Sequence, residues 1–171
     1  MIANYESEAQ KFHDLLVKFE TAMLVTRSSE GGLHGRPMAI AKVEDDCTVW
    51  FLSLHESGKV HEIEVEPHVG VTFQKDHNLY LSLTGQAELS RDRAKIAELW
   101  KESYKPWFPN GKDDPDIILI SVEPEQGEFW NQQGGKKLQY LFETARAYAT
   151  GTRAEVREGE MHAKVPLKES R

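Results

Sequence analysis

AMLVTRSSEGGLHGRPMAIA, residues 22–41, falls into two apolar-rich halves around a polar middle. AMLVTRS (22–28) reads as a strand, and LHGRPMAIA (33–41) reads as the strand that returns beside it. The joint, SEGG (29–32), is a hairpin turn, because Gly31 and Gly32 accept positive φ. Strands joined this tightly run antiparallel; a parallel pair needs a crossover of about a dozen residues or more.

The same pattern continues in both directions. VEDD (43–46) turns again and TVWFLSL (48–54) is a third strand. A short helix follows over 58–65 and Pro67 closes it. VGVTFQ (69–74) and NLYLSLTGQAELS (78–90) are further strands, and Gly85 marks a bend or bulge in the second. Upstream, Phe12, Leu15, Leu16 and Phe19 stand at i, i+3, i+4 and i+7, one face of an amphipathic helix over 6–20. Downstream, Ile96, Ala97, Trp100 and Tyr104 predict a helix over 92–104. DIILISVEP (116–124) and EFWNQ (128–132) read as a last strand pair. Leu138, Leu141, Phe142, Ala145 and Tyr148 predict a final helix, with Gly151 as its cap. Residues 1–151 are thus expected as one domain, and the charged 152–171 as a tail.

Seven strands in hairpin order, with no alternation of strand and helix, predict a mainly β member of the α+β class. The architecture expected is an antiparallel six- to seven-stranded sheet closed into a small barrel, with helices packed outside.

Composition narrows the function. The net charge is −7, so counterion release would not favour nucleic acid as a partner. No apolar run reaches the ~20 residues of a membrane helix, and MIANYESEAQ has no signal-peptide pattern. No membrane partner and a cytoplasmic location are the expectations. The single cysteine, Cys47, follows two aspartates that raise a thiol's pKa, which argues against a reactive thiolate.

Tests for common chemistries fail on spacing. Gly58-Lys59 is not a P-loop: Ser53 stands where the first glycine belongs, and Val60 where Ser or Thr belongs. There is no GxGxxG and no GxSxG. The seven histidines show no ligand spacing, so no metal and no catalytic residue are assigned.

Three stretches point to an anion and a ring. In FLSLHESGKVHEI (51–63), Ser57 is a good N-cap, and Gly58 and Lys59 open the helix with unpaired N–H groups. A phosphate there meets the helix dipole, the hydroxyl and the ammonium; Glu56 beside it is an objection. In HGRPMAI (34–40), Pro37 marks a strand edge and Arg36 offers a planar fork. In EFWNQQGGKKL (128–138), Trp130 is followed by a Gly-rich loop and two lysines.

In this order, GRPM (35–38), the run 51–73, TGQAEL (84–89), WFPNGKDDPDIILISVEP (107–124) and EFW (128–130) resemble the pyridoxamine 5′-phosphate oxidase-like, FMN-binding split-barrel superfamily. Within it, the chain is most similar to the bacterial general stress proteins, over roughly residues 10–150. The resemblance implies a split β-barrel homodimer with two flavin sites at its interface. It implies that Arg36 and Lys59 hold the FMN phosphate with help from Ser57. The backbone around Arg36, Pro37 and Met38, and around Ser53, Leu54 and His55, would line the ring and ribityl chain. Gln74 would lie beside the ring, and Trp130 would come from the second subunit. Trp107, Phe108 and Lys137 would border the substrate.

The chain also departs from the oxidase itself. After EFW, that enzyme carries arginine, histidine and arginine, whereas KLQYL (137–141) here has Gln139 and Leu141 at the last two places. This argues against oxidation of pyridoxamine 5′-phosphate. The resemblance therefore implies a protein that binds or senses FMN, or FAD, with little turnover. The alternatives are an FMN-dependent oxidoreductase of unassigned substrate and a haem-binding relative of the barrel.

Overall fold

A computed structural model describes residues 2–76, 78–131 and 162–168. The elements run α1 (Ile2–Leu16), β1 (Thr21–Arg27), β2 (Leu33–Ala39), β3 (Lys42–Val43), β4 (Val49–Leu54), α2 (Gly58–Val65), β5 (His68–Lys75), β6 (Leu79–Ser90), α3 (Arg93–Leu99), a 3-10 turn (Glu102–Tyr104), β7 (Ile117–Asn131) and β8 (His162–Pro166). The expected helix over 138–148 and the loop carrying Lys137 lie outside the described residues.

All pairings are antiparallel, in the order β2-β1-β5-β6-β7-β4-β3, with β8 on β7. The sheet curls until β2 and β4 approach each other across an open seam, which makes a half-barrel. Alternation does the sorting. Ala22 and Leu24 of β1, and Val69, Val71 and Phe73 of β5, point inward and are buried. The helix α1 delivers Phe12, Leu15 and Leu16 to the same core, followed by Phe19. Each such side chain contributes about 1.5–3 kcal/mol on burial. Helix α2 adds Val60 and Ile63 and packs on β1 and β6. β4 and the first half of β7 are covered on both faces. Ile118 and Ile120 face the barrel, while Leu52, Ile117 and Leu119 meet Ile96 and Leu99 of α3.

Three sequence expectations are corrected. The last strand pair is one continuous 15-residue strand, β7. Gln126 and Gly127, between the two predicted strands, stay in the ladder opposite Thr84 and Leu83, and the Phe12 ring packs where a Gly127 side chain would be. Within the stretch read as a tail, His162–Pro166 forms β8. Its alternating Ala163 and Val165 are buried against the core that α1 also covers. The helix expected over 92–104 ends at Leu99, where Trp100 turns extended, and resumes as the 3-10 turn. Asp92 caps it by accepting from the N–H groups of Ala94 and Lys95. The bulge foreseen at Gly85 is present: the β6–β7 register shifts between Thr84 and Gly85.

Candidate functional site

Arg36 of β2 and Lys59 of α2 are brought within range of each other's charge, and Arg36 pairs with Glu62 on that same helix. β2 alternates, so His34, Arg36 and Met38 share a face; Met38 is buried in the core and Arg36 is half-buried above it. The Arg36 Nη1 donates to the Thr26 hydroxyl of β1 and, at 3.2 Å, to the His34 carbonyl. Its Nη2 stands 2.9 Å from Glu62 Oε2 on α2. The Thr26 hydroxyl donates to the same Oε2, and His34 Nδ1 lies 2.6 Å from Oε1. Burial works to raise the Glu62 pKa, but the hydrogen bonds from Thr26, His34 and Arg36 outweigh it and hold the carboxyl at about 2.

Lys59 stands one turn before Glu62, on the opening turn of α2. Its pKa is lowered, first by burial and then by the positive charge of Arg36. Among the described residues it has no ion-pair partner. A half-buried ammonium within reach of a guanidinium's charge, on the opening turn of a helix, is an arrangement suited to an anion.

Ser57 has the extended backbone of an N-cap, but its side chain makes no capping bond. The hydroxyl instead lies 3.0 Å from that of Ser53, which is buried at the end of β4. Leu54 is exposed, and the half-buried His55 bonds Glu56 through Nδ1 at 3.0 Å. Glu56 is therefore turned to its neighbour. β2 is an edge strand: no strand lies beyond it among the described residues, and Pro37 sits there as expected.

The remaining predicted residues divide. Pro37, Gln74 and Trp130 line a cleft of about 480 Å³, together with Met23, Thr72 and Tyr80. This cleft lies on the outer face of β2, β1, β5 and β6, so Pro37 faces it while Arg36, one residue away, faces the opposite side. A second cleft of about 560 Å³ adjoins it at Thr21 and is bordered by Lys42, Lys101, Tyr104 and Trp107. Trp107 is 68% exposed at its rim. Phe108 is turned away: it is buried in the small core under α3, with its ring centroid 6.2 Å from that of Trp100.

Sequence reading missed Thr26, His34 and Glu62. A signal was present. His34 is two residues before Arg36 on a strand, and Glu62 is three after Lys59 on a helix, so each period places its residue on the same face as its own cation.

Fold and site together define a class of small antiparallel half-barrel proteins with a paired-cation corner at the first turn of a packed helix and an open cleft outside the sheet. The profile of the family described as "Pyridoxamine 5′-phosphate oxidase like" matches residues 7–155. The chain belongs to that family. General stress protein 26 of Bacillus subtilis (strain 168) is 27% identical over 132 residues, covering 75% of this chain and 91% of its own length. A solved structure from Jannaschia sp. CCS1 matches with a TM-score of 0.68 at 26% identity, over 95% of this chain and 99% of that one. The general stress FMN/FAD binding protein of Xanthomonas citri matches with a TM-score of 0.64 at 25% identity, over 76% of this chain and 92% of its own. Among the described residues no helix is long and apolar enough to cross a membrane.

Proposed function

We propose that this chain binds FMN, with FAD as the alternative flavin, and works as a general stress protein that holds or senses flavin with little turnover. The observation that carries the reading is the Arg36–Lys59 corner. Burial and the charge of Arg36 both disfavour the Lys59 ammonium, and an anion bound beside it would offset both by pairing with its charge. The donor set fits a phosphate monoester: a guanidinium edge, an ammonium, the Ser57 hydroxyl and the open N–H groups of α2. Pro37 stands on the other face of the same edge strand and borders the outer cleft, where Gln74 and the Trp130 of this same chain, rather than of a second subunit, would provide a surface for a ring. The name of the Xanthomonas citri relative supports the flavin.

Bound FMN would supply the electron chemistry, and the chain would supply binding and orientation. Met23, Leu33 and Trp130 leave apolar surface exposed on the outer face, which supports a homodimer in which a second copy closes the cleft.

Titration of the purified protein with FMN and with riboflavin tests this. Tight FMN binding, weaker riboflavin binding and a dimer by analytical ultracentrifugation are expected. A protein that binds neither flavin overturns the reading. Anaerobic addition of NADH or NADPH to the loaded protein separates the holder from the oxidoreductase, since only the latter bleaches the flavin rapidly.

A further inference from the structure

Strand β8 adds a side chain that the flavin reading does not use. Trp130 on β7 stands directly opposite Tyr80 on β6 and opposite His162 on β8, and Tyr80 stands opposite Gln74 on β5. Gln74, Tyr80, Trp130 and His162 thus form one row across four strands of the outer face. The first three line the outer cleft. His162 supports the third from the far side: its ring is stacked on the indole, with centroids 5.4 Å apart and planes 19° apart.

The imidazole is itself fixed. Its Nε2 lies 2.6 Å from Glu128 Oε1. That hydrogen bond fixes the rotation of the imidazole. The pair is partly shielded, with His162 at 26% and Glu128 at 23% side-chain exposure. Trp130 keeps 37% of its surface open and would, without this backing, exchange among rotamers on the outer face. The chain Glu128–His162–Trp130 therefore converts a mobile aromatic into a fixed plane.

We propose that Glu128 and His162 are positioning residues of a stacking site, and that they hold Trp130 as the wall against which a planar aromatic ring, here the flavin's isoalloxazine, lies. This deepens the flavin reading and rests on it for the ligand. β8 then belongs to the binding site, although Arg36, Ser57 and Lys59 lie on or beside β2 and α2.

The test crosses two ligands with three variants. FMN and riboflavin share the ring, but only FMN carries the phosphate. His162→Ala is expected to weaken both about three- to tenfold, the range of an aromatic pair. Lys59→Met is expected to weaken FMN alone. His162→Phe keeps the stack and should restore most of the affinity, which separates stacking from a folding defect. Riboflavin affinity in His162→Ala equal to the unaltered protein's overturns the proposal while leaving the flavin reading intact. If the unaltered protein binds neither flavin, the flavin reading fails, and the positioning claim is judged on Trp130 alone. Acrylamide quenching, with Trp130→Phe subtracted to isolate that residue, should increase in His162→Ala; unchanged quenching overturns it.

Discussion

Nη2 of Arg36 lies 2.9 Å from Oε2 of Glu62, so the arginine expected to grip an anion already grips a carboxylate. This pair ties edge strand β2 to helix α2, and it joins the two segments whose cations form the corner. The carboxylate holds the guanidinium in place and also offsets part of its charge.

Acid stability should report on Glu62. Its folded pKa, about 2, lies below the ordinary 4.5, so its stabilising contribution is complete above about pH 4.5 and is lost as pH falls toward 2. Glu62→Gln should unfold at lower urea near neutrality, and the gap to the unaltered protein should close between pH 4.5 and 2. Parallel pH curves for the two proteins would refute the assignment.

Lys59 should trade stability for binding. Because burial and Arg36 both disfavour its charge, Lys59→Met should raise the thermal midpoint of the flavin-free protein. The same change should weaken FMN about 10- to 100-fold, the equivalent of one charge-assisted hydrogen bond at roughly 1.5–3 kcal/mol. Calorimetry on both forms checks the two halves; a lowered midpoint without ligand contradicts the account of the corner.

How much of this corner was readable is plain from its parts. Arg36, Ser57 and Lys59 stand out because a Pro-marked edge strand and a helix opening are local features. The Glu62 contact is a tertiary fact: it depends on how far the sheet curls, and no single stretch encodes that. The same holds for Phe108, whose loop is rich in Pro and Gly but folds its ring beneath α3. Gln126-Gly127 misleads for the opposite reason. Its local turn chemistry is overridden by twelve register partners along β6 and five along β8.

Two glycines should be intolerant to different degrees. A β-carbon on Gly85 would lie 2.0 Å from the Glu123 carbonyl oxygen, a backbone atom fixed by the bulge. One on Gly127 would lie 2.6 Å from the Phe12 ring. Gly85→Ala should cost on the order of 2–4 kcal/mol and exceed Gly127→Ala, since a ring can shift where a ladder cannot. Equal unfolding midpoints for Gly85→Ala and the unaltered protein would mean the bulge is not as described.

Cys47 should be inert in the folded protein. Burial first, and Asp46 second, push its thiol up to about 12. Labelling by a thiol-reactive dye should proceed only through unfolding and should accelerate steeply in denaturant. Rapid stoichiometric labelling in buffer would contradict this placement.

Helix α1 rests on β8 as well as on β7, and Leu167 follows β8 to donate its N–H to the Glu125 carbonyl at 3.0 Å. Phe12 and Leu16 on one side and Ala163 and Val165 on the other, far apart in sequence, therefore close the same stretch of core. A closure of such long range costs the most loop entropy, so it should form after the local hairpins of β1 with β2 and β5 with β6.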